Sequence, residues 1–144
     1  MRTMAYRFVS NDLVIMVHSA KNPTDDEIQA YCDELRTKDV SKVRVLVLTD
    51  GGGLNASQRK MLNDVLGGRP QHCAVVSDDS IVRGIVTALS WFNRYIRVFE
   101  KAAAEEAFRY LHIPSTEFAN VRREARRLRA VVYGEEDATK QRLR

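Results

Sequence analysis

"VLVLTDGGGLNASQRKML", residues 45–62, holds the change of periodicity on which the fold turns. The apolar run from Val43 to Leu48 is rich in β-branched residues and apolar on both faces. That suits a strand in the middle of a mostly parallel sheet. Three glycines follow, then Met61, Leu62, Val65 and Leu66 at helical spacing. Asn55 is a preferred N-cap, and Gln58 stands three residues on, where its side chain reaches back. The helix stops at "GGRP", a C-cap glycine followed by a proline.

The pattern repeats on both sides of this stretch. Upstream, residues 6–9 and 13–18 are β-type runs parted by "SND", a hairpin. "NPTDDEIQAYCDEL" opens a helix with Thr24 as N-cap and Glu27 closing a capping box. Ile28, Tyr31, Cys32 and Leu35 mark its buried face. Downstream come a fourth strand at "CAVVS", a third helix at "IVRGIVTALSWF", a fifth strand at "YIRVF" and a fourth helix at "AAAEEAFRYL". Ile81, Val82, Ile85, Val86 and Leu89 cover a wide face, so the third helix is expected to be well buried. Strands alternating with helices imply an α/β domain with right-handed crossovers. The hairpin adds an antiparallel strand at an edge. The expected sheet is mixed, mostly parallel and five-stranded.

A chain of 144 residues with 44% hydrophobic and 29% charged side chains fits one globular body. "MRTMAYRFVS" lacks the apolar core of a signal peptide, and no apolar run approaches a membrane span. Cys32 and Cys73 are far apart and read as reduced thiols. A cytoplasmic protein is expected. Residues 1–114 carry 15 basic and 14 acidic side chains, whereas residues 115–144 carry 8 and 5, so positive charge gathers at the C-terminal end.

The element order resembles the STAS fold of anti-sigma-factor antagonists, and more closely the bacterial STAS-like proteins. "VRVLVLTDGGGLNASQRKMLNDVLGGRPQHCAVVSD" and "RVFEKAAAEEAFRYLHI" carry the likeness, which spans about residues 4–113. The resemblance implies a regulatory module that binds a protein partner; with no G-x-S-x-G elbow and no acid–base pair in the sequence, neither catalysis nor a cofactor is expected. It also implies a candidate phosphosite, because antagonists are phosphorylated on a serine of a D-S-S-G-L motif at the head of the helix after the third strand. Matching "DGGGL" to that motif puts Gly51 and Gly52 on the serines. Matching "NASQ" puts Ser57 there.

Three readings of the loop stand side by side. It is a structural turn before a capped helix; a docking or anion-binding loop made of Asp50, Gly51, Gly52, Gly53, Asn55, Ser57 and Arg59; or a small-ligand site. The spacing is not that of a Walker A loop. G-x-G-x-x-G fails because Ala56 takes the last position. Asp50, Ser77 and Lys101 close the third, fourth and fifth strands, as in phospho-receiver domains. Those also need an acidic pair after the first strand to hold magnesium, and here that place reads "HSAKN". His18, His72 and His112 are isolated, which argues against a metal site.

Two further features point to partners. Trp91 and Tyr95 close the third helix and open the fifth strand. They are candidates for lining an apolar pocket, since STAS-like folds are similar to lipid-binding CRAL-TRIO domains; a carrier of a small apolar ligand is the alternative function. Residues 114–134 read as an added amphipathic helix. Its stripe is Phe118, Val121, Ala125, Leu128 and Val132, and its opposite face holds Arg122, Arg123, Arg126, Arg127 and Arg129. The stripe must lie on the chain's own sheet, another helix or a second subunit, so a homodimer is one expectation. The acidic "GEED" and the lack of stacking aromatics argue against nucleic acid. Residues 135–144 read as a flexible tail.

Overall fold

The computed structural model describes residues 2–90 and 93–134. The elements run β1 (Met4–Ser10), β2 (Leu13–His18), α1 (Asp25–Leu35), β3 (Arg44–Thr49), α2 (Ala56–Leu66), β4 (His72–Val76), α3 (Ser80–Ser90), β5 (Ile96–Phe99), α4 (Ala104–Tyr110) and α5 (Phe118–Tyr133). The sheet follows chain order, β1-β2-β3-β4-β5. β1 pairs antiparallel with β2, and every later pair is parallel. β3 is therefore the middle strand, and the hairpin puts β1 on an edge, as the sequence indicated.

Alternation along the strands divides the molecule into two cores. Val14, Met16 and Val45 face α1 and α2, and Val75 meets Val82 and Val86 of α3. Ile15, Val17, Leu46 and Ala74 face the opposite way, onto Phe108 of α4 and Val121 and Leu128 of α5. β2 is buried along its whole length, as a strand covered by helices on both faces should be. Both capping boxes form: Thr24 with Glu27 and Asn55 with Gln58.

The stripe of α5 lies on the chain's own sheet, against β1 and β2, and Phe118 meets Phe108 ring to ring at 5.2 Å. The helix thus shares a core with the strands before it, and a second subunit does not cover that stripe. The third helix departs from expectation. Only its Val82 and Val86 are buried, while Ile81 and Ile85 are 72% and 51% exposed. It lies over the β5 edge of the sheet, so its apolar face is wider than the surface beneath it.

Candidate functional site

β3 ends at Thr49, whose hydroxyl sets the glycine corner. It accepts from the Gly51 amide (3.1 Å) and donates to the Gly52 carbonyl (2.6 Å). Gly51 has φ +145°, a conformation open to glycine and strained for other residues. The Gly52 amide donates to the Ser19 carbonyl (2.8 Å), and the Gly53 amide to Asn22 Oδ1 (3.2 Å). Two loops, after β2 and after β3, are thereby stitched together. A Cβ on Gly52 would stand 2.1 Å from the Lys21 carbonyl oxygen. All three glycine amides are engaged within the chain, so this corner is a close-packed turn and offers none of them to an anion.

The head of α2 begins beyond the corner. Asn55 Oδ1 accepts from the Gln58 amide (2.8 Å), and Gln58 Oε1 accepts from the Asn55 amide (3.1 Å). Gln58 is buried, and its Nε2 donates to the Pro23 carbonyl (3.0 Å) and to Asp25 Oδ1 (2.9 Å). One side chain thus caps its own helix and binds the head of α1. Ser57 lies in the first turn and is exposed. Because the helix starts at Ala56, Ser57 occupies that turn, and Gly51 and Gly52 do not. Among the described residues the Ala56 and Ser57 amides have no partner, as the first turn of a helix leaves them. Arg59 is exposed beside them and donates to the Leu54 carbonyl (2.8 Å).

Asp50 turns away from that surface. Its carboxylate takes Lys101 Nζ at 2.9 Å, Arg129 Nη2 at 3.2 Å and the Tyr133 hydroxyl. Burial opposes its ionisation, but the Tyr133 and Lys101 hydrogen bonds and the Arg129 charge hold the carboxyl below its ordinary range. The Tyr133 phenol is pushed up to about 12, by burial first and then by Asp50. Asp50 and Lys101 meet as in a receiver domain. Ser77, however, is fully buried and accepts from the Asp79 amide (3.1 Å). Asp25 is spent on Gln58. Among the described residues no group of three His, Cys, Asp or Glu side chains could hold a metal ion.

The basic helix face is largely answered from within. Arg122 pairs with Glu105, Arg127 with Glu124 and Arg129 with Asp50, while Arg123 donates to Asn120. Arg126 is exposed and makes none of these contacts. Tyr95 is 40% exposed, edge-on to His72. Trp91 and residues 135–144 lie outside the described residues.

The sequence placed a candidate apolar pocket beside the third helix, on Trp91 and Tyr95, and did not single out His18, Tyr31 or Gln71 as lining residues. A cavity of about 360 Å³ opens between α2, α3 and the sheet, walled by residues such as Val47, Val75, Val86 and Leu89. Tyr95 is not on its wall. His18, Tyr31 and Gln71 are, all buried. His18 is pulled down to about 4 by burial, against a raising influence of Glu27, so its ring is neutral near pH 7. Tyr31 is pushed far up by burial; the Gln71 amide beside it opposes that shift without closing a hydrogen bond of ordinary geometry. Strand parity was the available signal for His18, because Val14, Met16 and His18 share one face of a fully buried strand.

No helix among the described residues is long and apolar enough to cross a membrane. No curated protein and no solved structure matches the chain. The family model described as SpoIIAA-like matches residues 14–112, well over half of the 144, and the chain belongs to that family of regulatory STAS-type domains.

Proposed function

We propose that this SpoIIAA-like chain is a cytoplasmic, non-catalytic regulatory module that docks a protein partner on the first turn of α2 and the corner before it. The observation that carries the reading is the construction of that turn. It is exposed at Ser57 and Arg59, yet it is fixed by Gln58 to the head of α1 and by the glycine stitches to the loop after β2. A rigid exposed platform loses little entropy on binding.

Ser57 is the residue through which docking would be switched. A phosphate there would bring about −1.5 to −2 charges to a helix head with unpartnered amides, with Arg59 and Lys60 alongside. The non-catalytic reading is supported by the Ser57 hydroxyl, which makes no hydrogen bond to a base among the described residues.

The experiment is affinity capture with the wild-type chain, Ser57→Asp and Arg59→Glu, each checked to be folded by a cooperative thermal transition no lower than that of the wild type. The expected result is a protein captured by the wild type and lost with both variants. A captured set indifferent to both substitutions overturns the reading.

A further inference from the structure

Among the described residues, four buried side-chain atoms find no hydrogen-bond partner: His18 Nδ1, Tyr31 OH, Gln71 Nε2 and Glu124 Oε2. Glu124 is answered by Arg7 Nη1 in an ion pair at 3.3 Å. The other three all line the cavity between α2, α3 and the sheet. Buried polar atoms are nearly always paired, and an unpaired one is destabilising. Three on the wall of one cavity mark the place where a partner atom belongs.

Their positions describe what fits. Tyr31 and Gln71 lie side by side near the start of β4. His18 closes β2, level with Thr49 of β3, while His72, next to Gln71, is level with Arg44. Five residues of strand separate the two levels, about 16 Å at about 3.3 Å per residue. Between them the wall is apolar, with Val47, Val75, Val82 and Val86. Among the described residues Arg59 is the one charged residue on the wall, and it is exposed and bonded to the Leu54 carbonyl. A buried carboxylate or ammonium would have no counter-ion inside. Tyr31 and Gln71 both present donors, so the ligand must bring an acceptor.

We propose that this cavity binds an uncharged, mainly aliphatic small molecule with one carbonyl or hydroxyl oxygen, that oxygen seated on Tyr31 and Gln71 and the chain lying along α3. Its volume of about 360 Å³ is at the small end of ligand pockets. The cavity borders the head of α2, with Gly53, Leu54 and Arg59 on its wall, but the oxygen's seat on Tyr31 and Gln71 involves neither Ser57 nor Arg59 and does not depend on docking there.

Calorimetric titration of the full chain with 2-octanone and with octanoate tests this. The ketone should bind saturably, and octanoate at least about tenfold more weakly. Tyr31→Phe should weaken the ketone about fivefold to tenfold, the worth of one hydrogen bond, while leaving unfolding of the free protein no easier. Gln71→Leu is the second variant and should act in the same sense, so the proposal stays testable if one of the two does not fold. Absence of saturable ketone binding, equal affinity for octanoate, or an unchanged ketone affinity in the folded variants overturns it.

Discussion

Asp50 and Lys101 stand 51 positions apart in the chain and close an ion pair of 2.9 Å across the carboxyl ends of β3 and β5. The other Asp50 oxygen takes Arg129 and Tyr133 from the last turns of α5. One carboxylate therefore ties the middle strand to the segment entering α4 and to the end of the C-terminal helix.

Removing that carboxylate should loosen α5. Asp50→Ala leaves Arg129 and Tyr133 without their shared acceptor, and the expected loss is about 2 kcal/mol, the scale of a charge-assisted hydrogen bond. Lys101→Met should cost under about 1 kcal/mol, because Lys101 is half exposed and its pair is screened. Urea unfolding of the two variants checks the order. Equal losses would mean that Asp50 acts only through Lys101.

Gly52 and Gly53 are neighbours with opposite expectations. Gly52→Ala puts a methyl group 2.1 Å from the Lys21 carbonyl oxygen, a backbone atom that moves only if the loop after β2 moves. The expected cost is about 2–3 kcal/mol. Nothing lies within 4 Å of a Cβ on Gly53. Gly53→Ala should be neutral or stabilising by up to about 1 kcal/mol, through reduced freedom of the unfolded chain. Thermal melts of the pair decide it, and a destabilised Gly53→Ala would contradict the open space found there.

These two contacts mark what was legible in the sequence. The capping boxes could be read because both members lie within three residues, as Thr24 with Glu27 and Asn55 with Gln58. The order of elements along the chain could be read because each apolar run announces its own period. The Gly52 contact depends on a loop 31 residues upstream, and Asp50 finds partners 51, 79 and 83 residues downstream. Neither leaves a local trace. The stripe of α5 was readable, but its cover was not, since sheet, helix and second subunit bury the same side chains. A pocket beside the third helix was expected, but its lining by His18, Tyr31 and Gln71 depends on the spacing between α2 and α3, and no single residue encodes it. Ile81 and Ile85 misled for the same reason: an apolar helix face says what can be buried, and the area beneath it decides what is.

Ser57→Asp should stabilise the chain modestly. An acidic residue in the first turn meets the positive end of the helix dipole, a gain of about 0.3–1 kcal/mol at low salt. α2 has no acidic residue of its own in that turn, and the nearby Asp25 of α1 is engaged by Gln58 and trims the gain without reversing it. A rise in melting temperature at low ionic strength that fades as salt is added checks it. A fall would mean that the exposed turn is less open to negative charge than its free amides indicate.

Stability should decline on acidification before the carboxylates titrate, and His18 is the reason. Its pKa falls from an ordinary 6.5 to about 4 because burial disfavours the cation. Above pH 6.5 the ring is neutral in both folded and unfolded chains, and its contribution is fully present. Between 6.5 and 4 the unfolded chain takes up a proton that the folded chain refuses, so unfolding becomes easier. Below 4 both states carry the proton and the trend from this group ends. Going from pH 7.5 to 5.0 should remove about 2 kcal/mol of unfolding free energy. Glu27 adds little over that range. Burial opposes its charge, but hydrogen bonds from Thr24, Thr3 and Met4 hold its pKa near 2, so its contribution is lost only as pH falls from 4.5 toward 2. Urea unfolding at the two pH values, with His18→Gln as control, separates the groups. The wild type should lose clearly more than the variant, which keeps only the loss from His72, also held below 6.5 by burial and by His112 and Arg44. Equal losses in both would place the acid sensitivity elsewhere in the chain.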